Sequence, residues 1–344
     1  RAKNIYLLYN ADSEGFDAGE KSRFITQLEV EKQPNHNLTF QYFNPDVPTI
    51  AYQPMLVPKT DSVIDRLKEI ASNGFSPSSL TTYIRNPIQF YMQRVLRISE
   101  TDEVEENVAV NTLGTIIHGT LEELYKPFIG RLLTTADIES CFQKIDAEVL
   151  HQFKEVYKEG EIKKGRNLLA FEVAKRNVYN FLKLEKAALE NGDQVQIIAL
   201  EQTYERLLED NRLPIPVLIK GNVDRIELRN GKIRIIDYKT GKVEQKNVTL
   251  KDWKGLTEDI KNDKIIQILA YAFMFEKETK GLEMEAGIIS FKNLNAGFLP
   301  FTFKPEKEAQ SVINAEIMEA YLEEIVVLLQ VIFNQEIPFE EKMN

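Results

Sequence analysis

The stretch that decides the fold is GNVDRIELRNGKIRIIDYKTG, residues 221–241. Its central dipeptide, Asn230-Gly231, stands between two runs of alternating character, the strongest short signal for a two-residue hairpin turn. Such a turn fixes the register: with Arg229 opposite Lys232, Asp224 falls opposite Asp237. Alternation then puts Asp224, Ile226, Leu228, Ile233, Ile235, Asp237 and Lys239 on one face, and Arg225, Glu227, Arg229, Lys232 and Arg234 on the other. One face reads as apolar, the other as charged. Two carboxylates meet at the tip of the apolar face, roughly 5 Å apart, where like charges directly opposite each other destabilise a sheet. A divalent cation offsets that repulsion, and Mg²⁺ or Mn²⁺ suits a shell of carboxylates, carbonyls and waters. Lys239, two residues past Asp237 on the same face, is placed to orient or help deprotonate an attacking water and to offset charge on a phosphate. Metal-assisted hydrolysis of a phosphodiester is the chemistry these groups imply. The competing reading pairs Asp224 and Asp237 with Arg225 and Lys239 in ordinary strand-end salt bridges.

Working outward, alternation and β-branched residues predict strands at 194–207, 214–229 and 232–239. A helix over 261–280, strands near 284–291 and 297–304, and a long helix over 305–335 follow. Upstream, Ser76-Pro77-Ser78-Ser79 is a helix-start signal before the stripe Leu80, Tyr83, Ile84, Ile88, Tyr91 and Val95, and helical periods dominate to about residue 191. The expected architecture is α/β, with a large helical part preceding the sheet. The first seventy residues differ: a short apolar strand, Asn4 to Tyr9, a Gly- and Asp-containing loop, then Pro34, Pro45, Pro48, Pro54 and Pro58. They read as a remnant plus linker, dividing the chain into 1–70 and 71–344.

Four more residues attract attention by position. His118 lies beside the core stripe Leu113, Ile117, Leu121 and Leu124 of a helix, either completing a metal shell or hydrogen-bonded in place. Gln267 and Tyr271, four apart on one helix face, either steady a phosphate or are surface polar groups. Glu201, in the strand before the hairpin, either adds a carboxylate to the metal or is solvated. The helix from Ser76 carries Arg85, Gln89, Gln93, Arg94 and Arg97 among aromatic residues, a mixture suited to a single nucleic-acid strand and equally to an ordinary amphipathic helix.

With 344 residues and 43% hydrophobic content, the chain is able to bury a sizeable core, so disorder is excluded as the default. The single Cys141 excludes a disulfide framework and any zinc or iron-sulfur site built from several thiolates of this chain, and it fits a reducing, cytoplasmic setting. No stretch approaches the roughly 20 apolar residues of a membrane helix. A net charge of -10 speaks against a nucleic-acid partner, although a metal held by carboxylates reverses the local sign where a phosphate would sit. The chain opens at Arg1 and reads as a piece of a longer polypeptide.

The motifs resemble, in order, those of the RecB-like nucleases of the PD-(D/E)XK superfamily, which include the nuclease domains of the AddB and RecB recombination proteins. Gly114-Thr-Ile-Ile-His118 is similar to the family's histidine-bearing helix and Gly221-Asn-Val-Asp224-Arg225 to its Gly-x-x-Asp-Arg strand. Asp237-Tyr-Lys239-Thr-Gly241 resembles the signature, and Gln267-x-x-x-Tyr271 follows in the expected place. The resemblance spans roughly residues 76–275 and implies a restriction-endonuclease-like core, a central mixed sheet of about five strands flanked by helices. It implies that His118, Asp224, Asp237 and the Tyr238 carbonyl ligate Mg²⁺ or Mn²⁺, and that Asp224, Asp237 and Lys239 are catalytic. Gln267 and Tyr271 would support the substrate, with Arg225 and Thr240 structural. The implied partner is DNA, strand or duplex end, cut in recombinational repair within a longer helicase-nuclease polypeptide or complex. The alternative is a catalytically silent module that grips DNA or a helicase. Several relatives ligate an iron-sulfur cluster through a cysteine before the proline of the opening helix; here Asn86 precedes Pro87, so no cluster is expected. Ile5 through Tyr9 and Glu20 through Phe24 look similar to the tail of a superfamily I helicase domain, without a phosphate-binding Gly-x-x-x-x-Gly-Lys loop in these residues.

Overall fold

The Asn230-Gly231 turn forms with both residues at positive φ, 52° and 82°, the conformation a two-residue hairpin of the mirror-image type requires. Asp193 accepts from the Asn230 amide, 2.9 Å, and Asn230 Oδ1 accepts from the Gln194 backbone, 2.8 Å, pinning the bend to the preceding strand. The register is the expected one: Arg229 pairs with Lys232 and Arg225 with Ile236. The computed structural model describes residues 4–8, 21–31, 34–35, 37–41, 53–98, 108–157, 164–306 and 308–342. The chain divides into two compact units, Arg1–Gln53 and Pro54–Asn344.

In the first unit Ser22 caps a helix, Arg23–Val30. Asn4–Leu8, expected as a strand, carry no strand pairing, while Tyr9 and the loop after it lie outside the described residues.

The second unit is built on a mixed five-stranded sheet of β1 (Val195–Leu208), β2 (Val217–Arg229), β3 (Lys232–Lys239), β4 (Met284–Ser290) and β5 (Phe298–Pro300), in that spatial order. Within this sheet only β3 and β4 run parallel. A parallel pair needs a crossover, and the connection carries a helix. Strand β2 starts three residues later than expected because Pro214 and Pro216 lack the amide a ladder uses. The helices are labelled α1 (Asp61–Asn73), α2 (Pro77–Arg85), α3 (Val110–Tyr125), α4 (Ile145–Tyr157), α5 (Gly165–Glu190), α6 (Asp263–Phe275) and α7 (Ala315–Phe333). Ser76 caps α2 as expected, but that helix stops at Arg85 because Pro87 drives Asn86 into extended backbone. The helix expected over 305–335 begins only at Ala315, where the Asn314 side chain accepts from the Ile317 amide. Among the described residues no helix is long and apolar enough to cross a membrane.

Both sheet faces are covered. One core gathers Ile226, Ile233, Ile235 and Ile288 of the sheet with α1, α2, α6 and α7; the other gathers Ile236, Tyr238 and Ile289 with α3, α4 and α5. The hairpin face read as charged is therefore interior at Arg225 and Glu227 and opens to solvent only towards Lys232 and Arg234. Arg225, fully buried, sits 3.1 Å from Glu185 of α5 and 2.5 Å from Glu227, with its guanidinium over the Tyr125 ring. Arg229 contacts Glu185, Glu227 and Asp193. Burial alone disfavours the charged forms, but the opposed charges outweigh it: Arg225 is held well above its usual range and Glu227 below its own.

Removing one member of this network strands the others in low dielectric, so Arg225→Ala is expected to cost about 3–5 kcal/mol of unfolding free energy. Urea denaturation followed by circular dichroism measures it.

Candidate functional site

Three carboxylates stand in a row across three adjacent strands. Leu200 pairs with Arg225 and Gln202 with Val223, so Glu201 of β1 stands opposite Asp224 of β2; the β2–β3 register in turn sets Asp224 beside Asp237. The β1–β2 ladder shifts between Ile197 and Ala199, a bulge that sends both Ile198 and Ala199 toward the first core. Glu201 has φ 42°, in the left-handed region where a residue with a Cβ is strained. Strand β2 answers at the same level. Val217, Ile219 and Val223 pack into the first core on odd positions, and Ile226 on an even one, so alternation reverses at Asp224.

The row is buried: Asp224 is 8% exposed and Asp237 2%. Burial, followed by the charge of Asp237, pushes the Asp224 carboxyl up to about 7, against the opposing pull of His118. Fixed donors hold the acids apart from one another. The Tyr238 amide donates to Asp224 Oδ2, 2.6 Å, and the Asn222 side chain donates to Glu201 Oε2, 2.6 Å. Asn222 carried no signal in the sequence, because its partner lies in another strand.

Helix α3 adds the imidazole. Its apolar stripe packs Ile117, Leu121 and Leu124 into the second core, and His118 beside it meets the Tyr238 ring edge-on, 5.7 Å between centroids. His118 Nδ1 lies 3.5 Å from both Glu201 Oε1 and Asp224 Oδ2. Burial lowers the proton affinity of this ring, but the Glu201 and Asp224 carboxylates, with Asp237 behind them, raise it by more.

Lys239 ends a polar chain. Its ammonium stands 2.9 Å from Asp237 Oδ2, a buried oxygen that accepts no well-aligned hydrogen bond, and donates to Gln267 Oε1, 3.0 Å. Gln267 in turn donates to the Tyr271 hydroxyl, 2.7 Å. Tyr271 is buried in α6, so it and Gln267 are not the surface pair their spacing allowed. Gly221 leaves the room Tyr271 needs: a Cβ there would lie 3.2 Å from its ring.

His118, Glu201 and Asp224 offer ligand atoms within 4.8 Å of one another. One imidazole nitrogen with carboxylate oxygens is a donor set that fits a hard divalent cation such as Mg²⁺ or Mn²⁺, and a cluster of three carboxylates with one lysine beside it is an electrostatic state that such a cation relieves. Asp237 lies outside that trio and is engaged by Lys239. Arg225 points to the opposite face, so the strand-end pairing with Asp224 does not occur, whereas the Asp237–Lys239 pair does. Thr240 lies near Gly114 of α3, and Arg85 is exposed at the end of α2.

Comparison with known proteins adds independent support. Residues 74–344 match the family described as the PD-(D/E)XK nuclease superfamily. A Rickettsia bellii protein described only as uncharacterized is 25% identical over 203 residues, covering 54% of this chain and 22% of its own length. A Streptococcus agalactiae protein described as a subunit of an ATP-dependent helicase/deoxyribonuclease is 23% identical over 203 residues, 58% of this chain and 17% of that protein. The protein of the same description from Streptococcus mutans is 25% identical over 172 residues, 49% of this chain and 14% of that protein. The chain thus spans less than a quarter of the length of these relatives. With its mixed five-stranded sheet flanked by helices and its match over most of its length, the chain belongs to the PD-(D/E)XK nuclease superfamily.

Proposed function

We propose that this chain is a divalent-metal-dependent DNA nuclease, acting as an exonuclease-type processor of DNA ends in recombinational repair, in the cytoplasm and alongside a helicase. The observation that carries the reading is the row Glu201, Asp224, Asp237 with His118 on one side and Lys239 on the other. Its support in DNA-end processing comes from relatives described as helicase/deoxyribonuclease subunits.

In this reading His118, Glu201 and Asp224 hold the cation, with Asp237 and the Tyr238 carbonyl contributing from β3. When bound, the ion supplies positive charge to the scissile phosphodiester and makes water acidic enough to attack near neutral pH. The chain's own groups do the positioning. Asp237 and Gln267 fix the Lys239 ammonium from two sides, so that its free donor capacity faces the cluster, where it orients the attacking water and offsets charge on the phosphate. Tyr271 holds the Gln267 amide in the orientation that presents oxygen to Lys239. Hydrolysis adds the water oxygen to phosphorus and breaks the bond to the 3′ oxygen, which leaves with a proton.

Incubating the chain with end-labelled single- and double-stranded DNA tests the proposal. Mg²⁺ or Mn²⁺ is expected to support cleavage and EDTA to stop it; no cleavage of either substrate with either metal identifies a silent DNA- or helicase-binding module instead. Asp237→Ala is expected to remove cutting while circular dichroism stays that of the parent, and retained activity sinks the reading. Lys239→Ala is expected to lower kcat by about 10²–10⁴-fold with DNA affinity little changed.

A further inference from the structure

A second feature lies on the α5 side of the sheet, past the end of the strand that carries Lys239, and its charge is opposite to that of the acid cluster. A hollow of about 410 Å³ runs between α5 and the turn that follows β4, with Asn180, Lys183, Phe291, Lys292, Asn293 and Asn295 in its wall and no acid among the described residues that line it. In a chain of net charge -10 that is an unusual stretch of surface. On the same helix Lys175 and Lys186 are each held by an acid, Asp146 at 3.0 Å and Glu139 at 2.9 Å. Lys183 and Lys292 are exposed, and no described residue holds either in an ion pair.

The hollow is fastened to the catalytic strand. Ser290, the ladder partner of Lys239, donates to the Gly241 carbonyl, 2.8 Å, and accepts from the Val243 amide, 3.1 Å. Asn293 donates to the Val243 carbonyl, 2.9 Å. The segment leaving Lys239 is thereby bonded to the turn that carries Lys292. At its other end the hollow shares Asn180 with a neighbouring cavity of about 480 Å³, where Asp146 and Glu172 balance Lys175 and Arg176. There the charge is neutral and the wall aromatic: Phe142 and Tyr179 lie 5.0 Å apart, and the Tyr179 ring is half exposed.

From this arrangement we infer that the hollow receives the sugar-phosphate backbone of a single DNA strand running from the acid cluster along α5, with Lys183 and Lys292 on phosphates and Tyr179 stacking a base. The inference rests on the nuclease reading for the direction of the strand, not for its charge logic. Cations without protein partners are those free to neutralise phosphates, and side-chain amides serve phosphate oxygens and base edges alike. An aromatic face suits an unpaired base, which favours a strand over a duplex.

The test is fluorescence anisotropy with a labelled oligothymidine of about 20 nucleotides, long enough to span an ordinary single-strand site, in Ca²⁺ buffer across a salt series. The pair Lys183→Glu and Lys292→Glu is expected to weaken binding by at least ~10-fold and to reduce the salt slope by about 1.4, from roughly 0.7 per lost phosphate contact. Lys277→Glu with Lys280→Glu, the same charge change before β4 rather than after it, is expected to leave binding within about twofold. Unchanged binding in the first pair, equal loss in both pairs, or loss confined to blunt duplex overturns the assignment. The cleavage assay separates the two claims: cutting without dependence on Lys183 and Lys292 sinks the hollow alone, and dependence without cutting sinks the nuclease reading alone.

Discussion

Three carboxylates on neighbouring strands, two of them nearly excluded from water, are the constraint around which this molecule is arranged. Coulomb repulsion between such groups grows as water leaves, so the row is stable only where donors surround it. The Tyr238 amide and the Asn222 side chain supply fixed dipoles, and Lys239 and His118 supply charge or the capacity for it. They come from three elements, β2, β3 and α3. The sheet must therefore be complete, and α3 and α6 docked, before the row becomes tolerable; the site is a product of tertiary structure rather than of any one motif.

The underside of the same hairpin solves the opposite problem. Arg225 and Arg229 face the buried Glu185 and Glu227, two charges of each sign, with Asp193 a part-exposed acid at the edge and the rings of Tyr125 and Phe181 over the Arg225 guanidinium. Nothing from outside is needed there. The upper face is left short of positive charge by its own residues, so the two faces of one sheet differ in electrostatic balance.

Much of this was legible because it is local. Asn230-Gly231 dictates a bend and a register, alternation dictates faces, and together they place Asp224, Asp237 and Lys239 without reference to the rest of the chain. The stripe of α3 likewise puts His118 at the edge of a core. What escaped depends on contacts distant in sequence. No glycine or asparagine marks Glu201 as left-handed, so the bulge that brings it into the row is invisible until β1 is laid against β2. Arg225 and Glu227 look like solvent-facing strand residues; only Glu185, from a helix some forty residues away, makes them interior. Helix α7 starts later than its apolar period implies because Gln310 first pairs with Phe303, holding the chain in a non-helical path.

The two-residue bend also acts as a ruler. Because strand side chains alternate with a period of two, lengthening or shortening the connection by a single residue without a compensating bulge would exchange the faces of β3 relative to β2. Asp237 would then lie over the aromatic cap of Arg225, and Tyr238 would enter the acid row. The distance along the chain between the two aspartates is consequently as much a condition for the acid row as their chemistry, and a change of loop length has to be accommodated elsewhere on the sheet.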